Sequence, residues 1–106
     1  MKKEVGVDER VLEKVAERIV GDEIKLAILL TLDDIGLAEM SEVYKRIVKE
    51  GIEDVTYSKF YVRIRTLTDS GLIKKVRAKG MGIGNVVFLE LTEKGKKIVE
   101  IIRNRF

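Results

Sequence analysis

The chain has 106 residues, enough for one compact core and too few for two, and its 45% apolar and 37% charged residues describe a globular protein rather than a disordered or membrane one. It has no cysteine, which excludes disulfides and thiolate metal sites, and no histidine, which removes the commonest general base, the usual zinc ligand and the physiological pH switch. An enzyme is therefore not expected, and no cofactor is called for.

The net charge of +3 conceals a lopsided distribution: residues 1–56 carry 9 Lys/Arg against 14 Asp/Glu, and residues 57–106 carry 12 against 4. A polyanion would dock on the basic C-terminal half. The opening MKKEVGVDER is polar where a signal peptide would be apolar, and the greasiest run, Leu26 to Leu32, is too short to span a bilayer. A cytoplasmic location without a membrane partner is expected. Proline and glutamine are absent while Lys, Glu, Ile and Val abound, a bias seen in hyperthermophile proteins.

Val11, Leu12, Val15, Ala16, Ile19 and Val20 recur at helical spacing after Asp8, a plausible N-cap, and predict an amphipathic helix over 8–20. Asp22 caps a second helix that is apolar nearly all round from Ile24 to Leu32, belongs in the middle of the core, and is broken by Asp33, Asp34 and Gly36. The adjacent carboxylates of Asp33 and Asp34 read as a solvated terminus rather than a metal site. A third helix runs from about Glu39 to Glu50 with Met40, Val43, Tyr44, Ile47 and Val48 on one stripe, and Gly51 closes it. A fourth opens at the N-cap Thr56, stops at Gly71, and turns Phe60, Ile64 and Leu67 inward.

After Gly71 the period becomes extended. Leu72 to Arg77 and Val86 to Leu91 form a hairpin around Lys79-Gly-Met-Gly-Ile-Gly-Asn85. The glycine alternation is not a dinucleotide fingerprint, because a strand and not a helix follows it. Thr92 then caps a last helix carrying Ile98, Val99, Ile101 and Ile102, with Gly95 where a capping box would place Glu or Gln. The fold class is mainly α with a β-hairpin, the winged helix-turn-helix plan, as a single domain over 1–106 with its core at about 22–91 and flanking helices at 8–20 and 92–105.

On a wheel of about 100° per residue, Ser58, Val62, Arg65 and Asp69 lie opposite the inward seam of the fourth helix, flanked by Lys59, Tyr61 and Thr66. In a major groove Arg65 is the best candidate for pairing with guanine, Lys59 and Tyr61 lie nearer the phosphates, and Val62 meets a thymine methyl. Thr56, Tyr57 and Ser58 open the same helix; Tyr57 and Tyr61 suit packing and phosphate contacts better than single-strand stacking. In the hairpin, Lys74, Lys75, Arg77 and Lys79 supply four positive charges within six residues, and without a balancing carboxylate they call for an anion. Met81 at the wing tip either wedges against a minor groove or a partner, as Ile83 does, or folds back; Asn85 ends the loop.

The stretch from Ser41 to Leu91 resembles the C-terminal winged-helix domain of the archaeal origin-recognition initiators, on Glu-Val-Tyr-Lys at 42–45, Val-Thr at 55–56, Ser-Gly-Leu-Ile at 70–73 and Val-Arg-Ala-Lys-Gly-Met-Gly at 76–82. That resemblance implies that the helix from Thr56 and the wing around Lys79 to Gly84 contact DNA. The chain has no GxxxxGK[ST] loop, and its close, Leu91-Thr-Glu-Lys-Gly-Lys-Lys before an apolar helix, is similar to that of dimeric regulators of the multiple-antibiotic-resistance type. The expected function is binding of double-stranded DNA, as a transcriptional regulator; a protein-interaction module and a non-specific chromatin-like protein are the alternatives. The stripes on the first and last helices either pack on each other or form a two-fold interface, and a homodimer through these helices is expected.

Overall fold

The structure is a computed structural model that describes residues 2–79 and 85–106, with side chains placed for residues 9–77 and 86–106. Its elements are α1 (Lys2–Val20), α2 (Glu23–Ile35), β1 (Ala38–Glu39), α3 (Met40–Lys49), α4 (Tyr57–Asp69), β2 (Ile73–Lys79), β3 (Asn85–Leu91) and α5 (Glu93–Arg105). The helix-turn-helix pair α3 and α4, the supporting α2 and the hairpin of β2 and β3 make the winged helix-turn-helix arrangement.

Three helix starts are set by side chains acting within three residues. Asp22 accepts from the Lys25 amide at 3.1 Å, Thr56 from Lys59 at 3.2 Å and Thr92 from Gly95 at 3.0 Å, each satisfying a donor that has no partner inside its helix. At the other end of α4 the chain leaves through a Schellman turn. Leu72 N–H donates to Leu67 and Gly71 N–H to Thr68, both at 3.0 Å, and Gly71 adopts φ +77°, where a β-carbon would be strained. This turn delivers the chain directly from α4 into β2, which is what keeps the two basic elements side by side.

The expected helix over 8–20 begins earlier, at Lys2, so Asp8 lies within α1 rather than capping it. No proline interrupts residues 2–8, and a helix nucleated downstream propagates through them. β1 was not foreseen: two residues are too few to show a period. It pairs antiparallel with β3, Ala38 opposite Leu89, giving the sheet order β1-β3-β2. Lys79 and Asn85, expected in the loop, pair in register as the last rung of the hairpin ladder.

The buried side chains form one cluster, with Ile28, Leu29 and Leu32 of α2 at its centre and Val43, Ile47, Phe60, Ile64, Leu67, Leu72, Leu89, Ile98 and Ile102 around them. This answers the all-round apolarity of α2. Of the two arrangements open for the terminal stripes, packing on each other is present: Ala16 and Ile19 of α1 and Ile98, Val99 and Ile102 of α5 are buried together, and Arg105 reaches Glu13 at 2.7 Å. Asp33 and Asp34 are held by one guanidinium, Arg103 Nε to Asp33 at 3.0 Å and Nη2 to Asp34 at 3.3 Å, which ties the end of α2 to α5.

The close of the hairpin explains Gly95. Thr92 N–H and hydroxyl both donate to the Leu72 carbonyl, at 3.0 and 3.2 Å, and the hydroxyl also reaches the Gly71 carbonyl at 2.6 Å. The first turn of α5 thus lies against the backbone of Leu72. A β-carbon at Gly95 would overlap the Leu72 carbonyl oxygen, come within 3.1 Å of its carbon and within 3.3 Å of Leu91 Cδ2. Gly95 is required by this close approach, and its place in a capping motif is incidental.

Candidate nucleic-acid interface

The face of α4 opposite Phe60, Ile64 and Leu67 is open to solvent: Thr56, Tyr57, Ser58, Lys59, Tyr61, Val62, Arg65, Thr66 and Asp69 are all exposed. Among them Val62 is 56% exposed, high for an aliphatic side chain. Arg65 takes part in no ion pair or hydrogen bond among the described residues, so its guanidinium is free for a planar acceptor pair. Lys59 is less free, since its ammonium donates to the Asp54 carbonyl at 3.1 Å. That carbonyl belongs to the tight connection between α3 and α4, where Asp54 itself has φ +56°.

Four aromatic rings lead from the core to this surface. Phe60 is buried; Tyr44 meets it at 5.2 Å and Tyr57 edge-on at 5.1 Å; Tyr57 lies 5.7 Å from Phe60 and stacks on Tyr61 at 6.5 Å. Such contacts each add to simple burial and stiffen the start of α4. Tyr61 in turn carries the Lys75 ammonium over its ring at 5.5 Å, within reach of a cation–π interaction. That contact joins β2 to α4 across the groove between them.

The hairpin's four cations do not act as one group. Successive strand residues alternate faces, and Ile73 is buried, so Lys75 and Arg77 follow it on the face that meets α4, while Lys74 lies on the other. There Lys74 stands opposite Glu90 in the ladder and pairs with it at 3.2 Å. The expectation that no carboxylate balances this strand is corrected by Glu90. Pairing the strands symmetrically about the glycine-rich loop would have found it. Lys79 and Asn85 are placed by backbone register alone, and Met81 and Ile83, with Gly80, Gly82 and Gly84, lie outside the described residues.

Sequence reasoning also missed Arg63. It is half-buried on the flank of α4, and its Nε stands 3.4 Å from the Asp22 carboxylate that caps α2. One carboxylate therefore both starts α2 and fixes the flank of α4, over a separation of 41 residues that no local pattern reveals. Among the described residues no cluster of three or more acidic side chains has the geometry to hold a metal, and no helix is long and apolar enough to cross a membrane.

No protein-family profile matches the chain, and no curated protein sequence matches it. The resemblance to the origin-recognition initiators thus gains no support from sequence comparison. Solved structures do match. A protein assigned to the MarR family of transcriptional regulators from Enterococcus faecalis superimposes with a TM-score of 0.70 at 17% identity, over 90% of this chain and 79% of that one. PadR of Bacillus subtilis in complex with operator DNA gives 0.65 at 22% identity, over 76% of this chain and 45% of that one. A MarR variant from E. coli, also with operator DNA, gives 0.59 at 14% identity, over 94% and 71%. At these identities the likeness is one of fold: the chain has the winged-helix fold found in the MarR and PadR regulators.

Proposed function

We propose that the chain is a transcriptional regulator that binds double-stranded DNA, with α4 in the major groove and the wing, from Lys74 through Lys79 and Met81 to Asn85, along the backbone or in the adjacent minor groove. The observation that carries this reading is the continuity of the exposed face of α4, where Arg65 has no ion pair among the described residues, and the Lys75 and Arg77 face of β2, joined through Tyr61. A helix of this width fits the major groove, and cations on a neighbouring strand then fall at the level of the phosphates. Support from outside the chain is that the PadR and MarR structures sharing this fold carry operator DNA.

The acting unit in this reading is a homodimer built on α1 and α5. After their inner stripes have packed on each other, α1 leaves Val11 54% exposed, Leu12 of α1 and Ile101 of α5 stay half-buried, and Phe106, just past the end of α5, is 62% exposed. A two-fold partner covering that strip would set two copies of α4 on successive half-sites.

The test is the salt dependence of duplex affinity. Neutralisation of about five phosphates per subunit gives a log–log slope of about −4.5 per subunit. An affinity that barely responds to salt refutes the reading, and a sedimentation mass of one chain at binding concentrations refutes the dimer.

A further inference from the structure

We propose that α4 selects its site by the C5-methyl groups of thymine, read by Val62 and Thr66 next to a guanine read by Arg65. The inference rests on the major-groove reading of α4 and names what that face recognises.

Val62 is an aliphatic side chain, 56% exposed, in the middle of a face that contributes nothing to the core. One turn later, Thr66 donates its hydroxyl to the Val62 carbonyl at 3.0 Å. The proton of that hydroxyl is committed to the helix backbone, so Thr66 offers a ligand no side-chain donor: it presents its γ-methyl, with the hydroxyl oxygen left as an acceptor only. Val62 and Thr66 therefore form one strip of methyl groups along the outer face of α4. Residues one turn apart stand about 5–6 Å from each other, between one and two base steps of about 3.4 Å. Among base edges in the major groove the thymine methyl is the apolar group on offer, and Ala, Thr or similar side chains meet it by contact. Arg65, three residues after Val62 and without an ion pair among the described residues, borders the strip with the two parallel donors that suit guanine O6 and N7. The site this surface fits has thymine within two base pairs of a guanine in each half.

The experiment starts from the full chain and duplexes it selects from a random pool. The recovered duplex is resynthesised with deoxyuridine in place of each thymidine in turn, which deletes the methyl and keeps every hydrogen bond. Uracil is expected to weaken binding about fourfold at one or two positions per half-site, the worth of one methyl-sized group removed from water. Val62→Ala, which withdraws two methyl groups from the strip, should diminish the loss at one position. Thr66→Ser keeps the hydroxyl and removes only the methyl, and should abolish the loss at the neighbouring one. Uracil tolerated everywhere with binding intact, or a penalty undiminished in both variants, overturns the thymine assignment and leaves the DNA-binding reading standing; absence of duplex binding overturns both.

Discussion

Replacing Gly95 by alanine sets two physical effects against each other with opposite signs. Alanine is favoured over glycine in a helix by about 1 kcal/mol, so propensity alone predicts a more stable protein. The structure predicts the reverse, because the new β-carbon overlaps the Leu72 carbonyl oxygen and presses on Leu91 Cδ2. To make room, α5 must retreat from β2. That retreat gives up the hydrogen bond from the Thr92 amide to the Leu72 carbonyl, at 3.0 Å, worth about 1 kcal/mol. It also strains the Thr92 cap, worth about 1 kcal/mol, and opens the packing of Leu72 and Ile98, where an enforced misfit costs about 1–3 kcal/mol. Setting the propensity gain against these losses leaves a net destabilisation of about 3 kcal/mol. For a domain of this size that lowers Tm by about 10–25 °C. Urea unfolding monitored by circular dichroism measures it, with Thr92→Ala as a companion expected to lose about 1–2 kcal/mol. A Gly95→Ala protein as stable as the parent, or more stable, would refute the close approach of α5 to Leu72.

Arg65→Ala should weaken binding to a selected duplex by about 5- to 150-fold, the value of a bidentate base contact of about 1–3 kcal/mol, while leaving affinity for unrelated duplexes nearly unchanged in competition binding. Glu90→Gln releases Lys74 from its cross-strand partner on the face turned away from α4 and should leave the log–log salt slope unchanged, read by fluorescence anisotropy across a salt series; a slope steeper by about 0.9 per subunit would mean that Lys74 reaches a phosphate in the complex. Arg103→Ala removes the ion pairs to Asp33 and Asp34, which are largely open to water, so thermal unfolding should show a loss of no more than about 1 kcal/mol that shrinks as salt is added.

The features legible in the residues were those set by neighbours within one turn. Asp22, Thr56 and Thr92 were readable as caps because a side chain and the amide three residues on must meet whenever a helix starts there. The inward seam of Phe60, Ile64 and Leu67, and with it the exposure of Ser58, Val62 and Arg65, followed from the helical period. The change of period after Gly71 marked the hairpin, and the charge contrast between the two halves pointed to α4 and β2.

Contacts between residues distant in the chain were decided by packing. Asp22 reaches Arg63 across 41 residues and Asp33 reaches Arg103 across 70; β1 exists only because β3 lies beside it; and Gly95 looks like a defect in a capping motif until Leu72 is brought against it. The terminal stripes announced that α1 and α5 bury something, but an apolar stripe carries no address, since burial rewards removal from water and not the identity of the neighbour. Tertiary structure supplied that address by placing α1 on α5, and it divided the hairpin's lysines between the face that meets α4 and the face that meets Glu90.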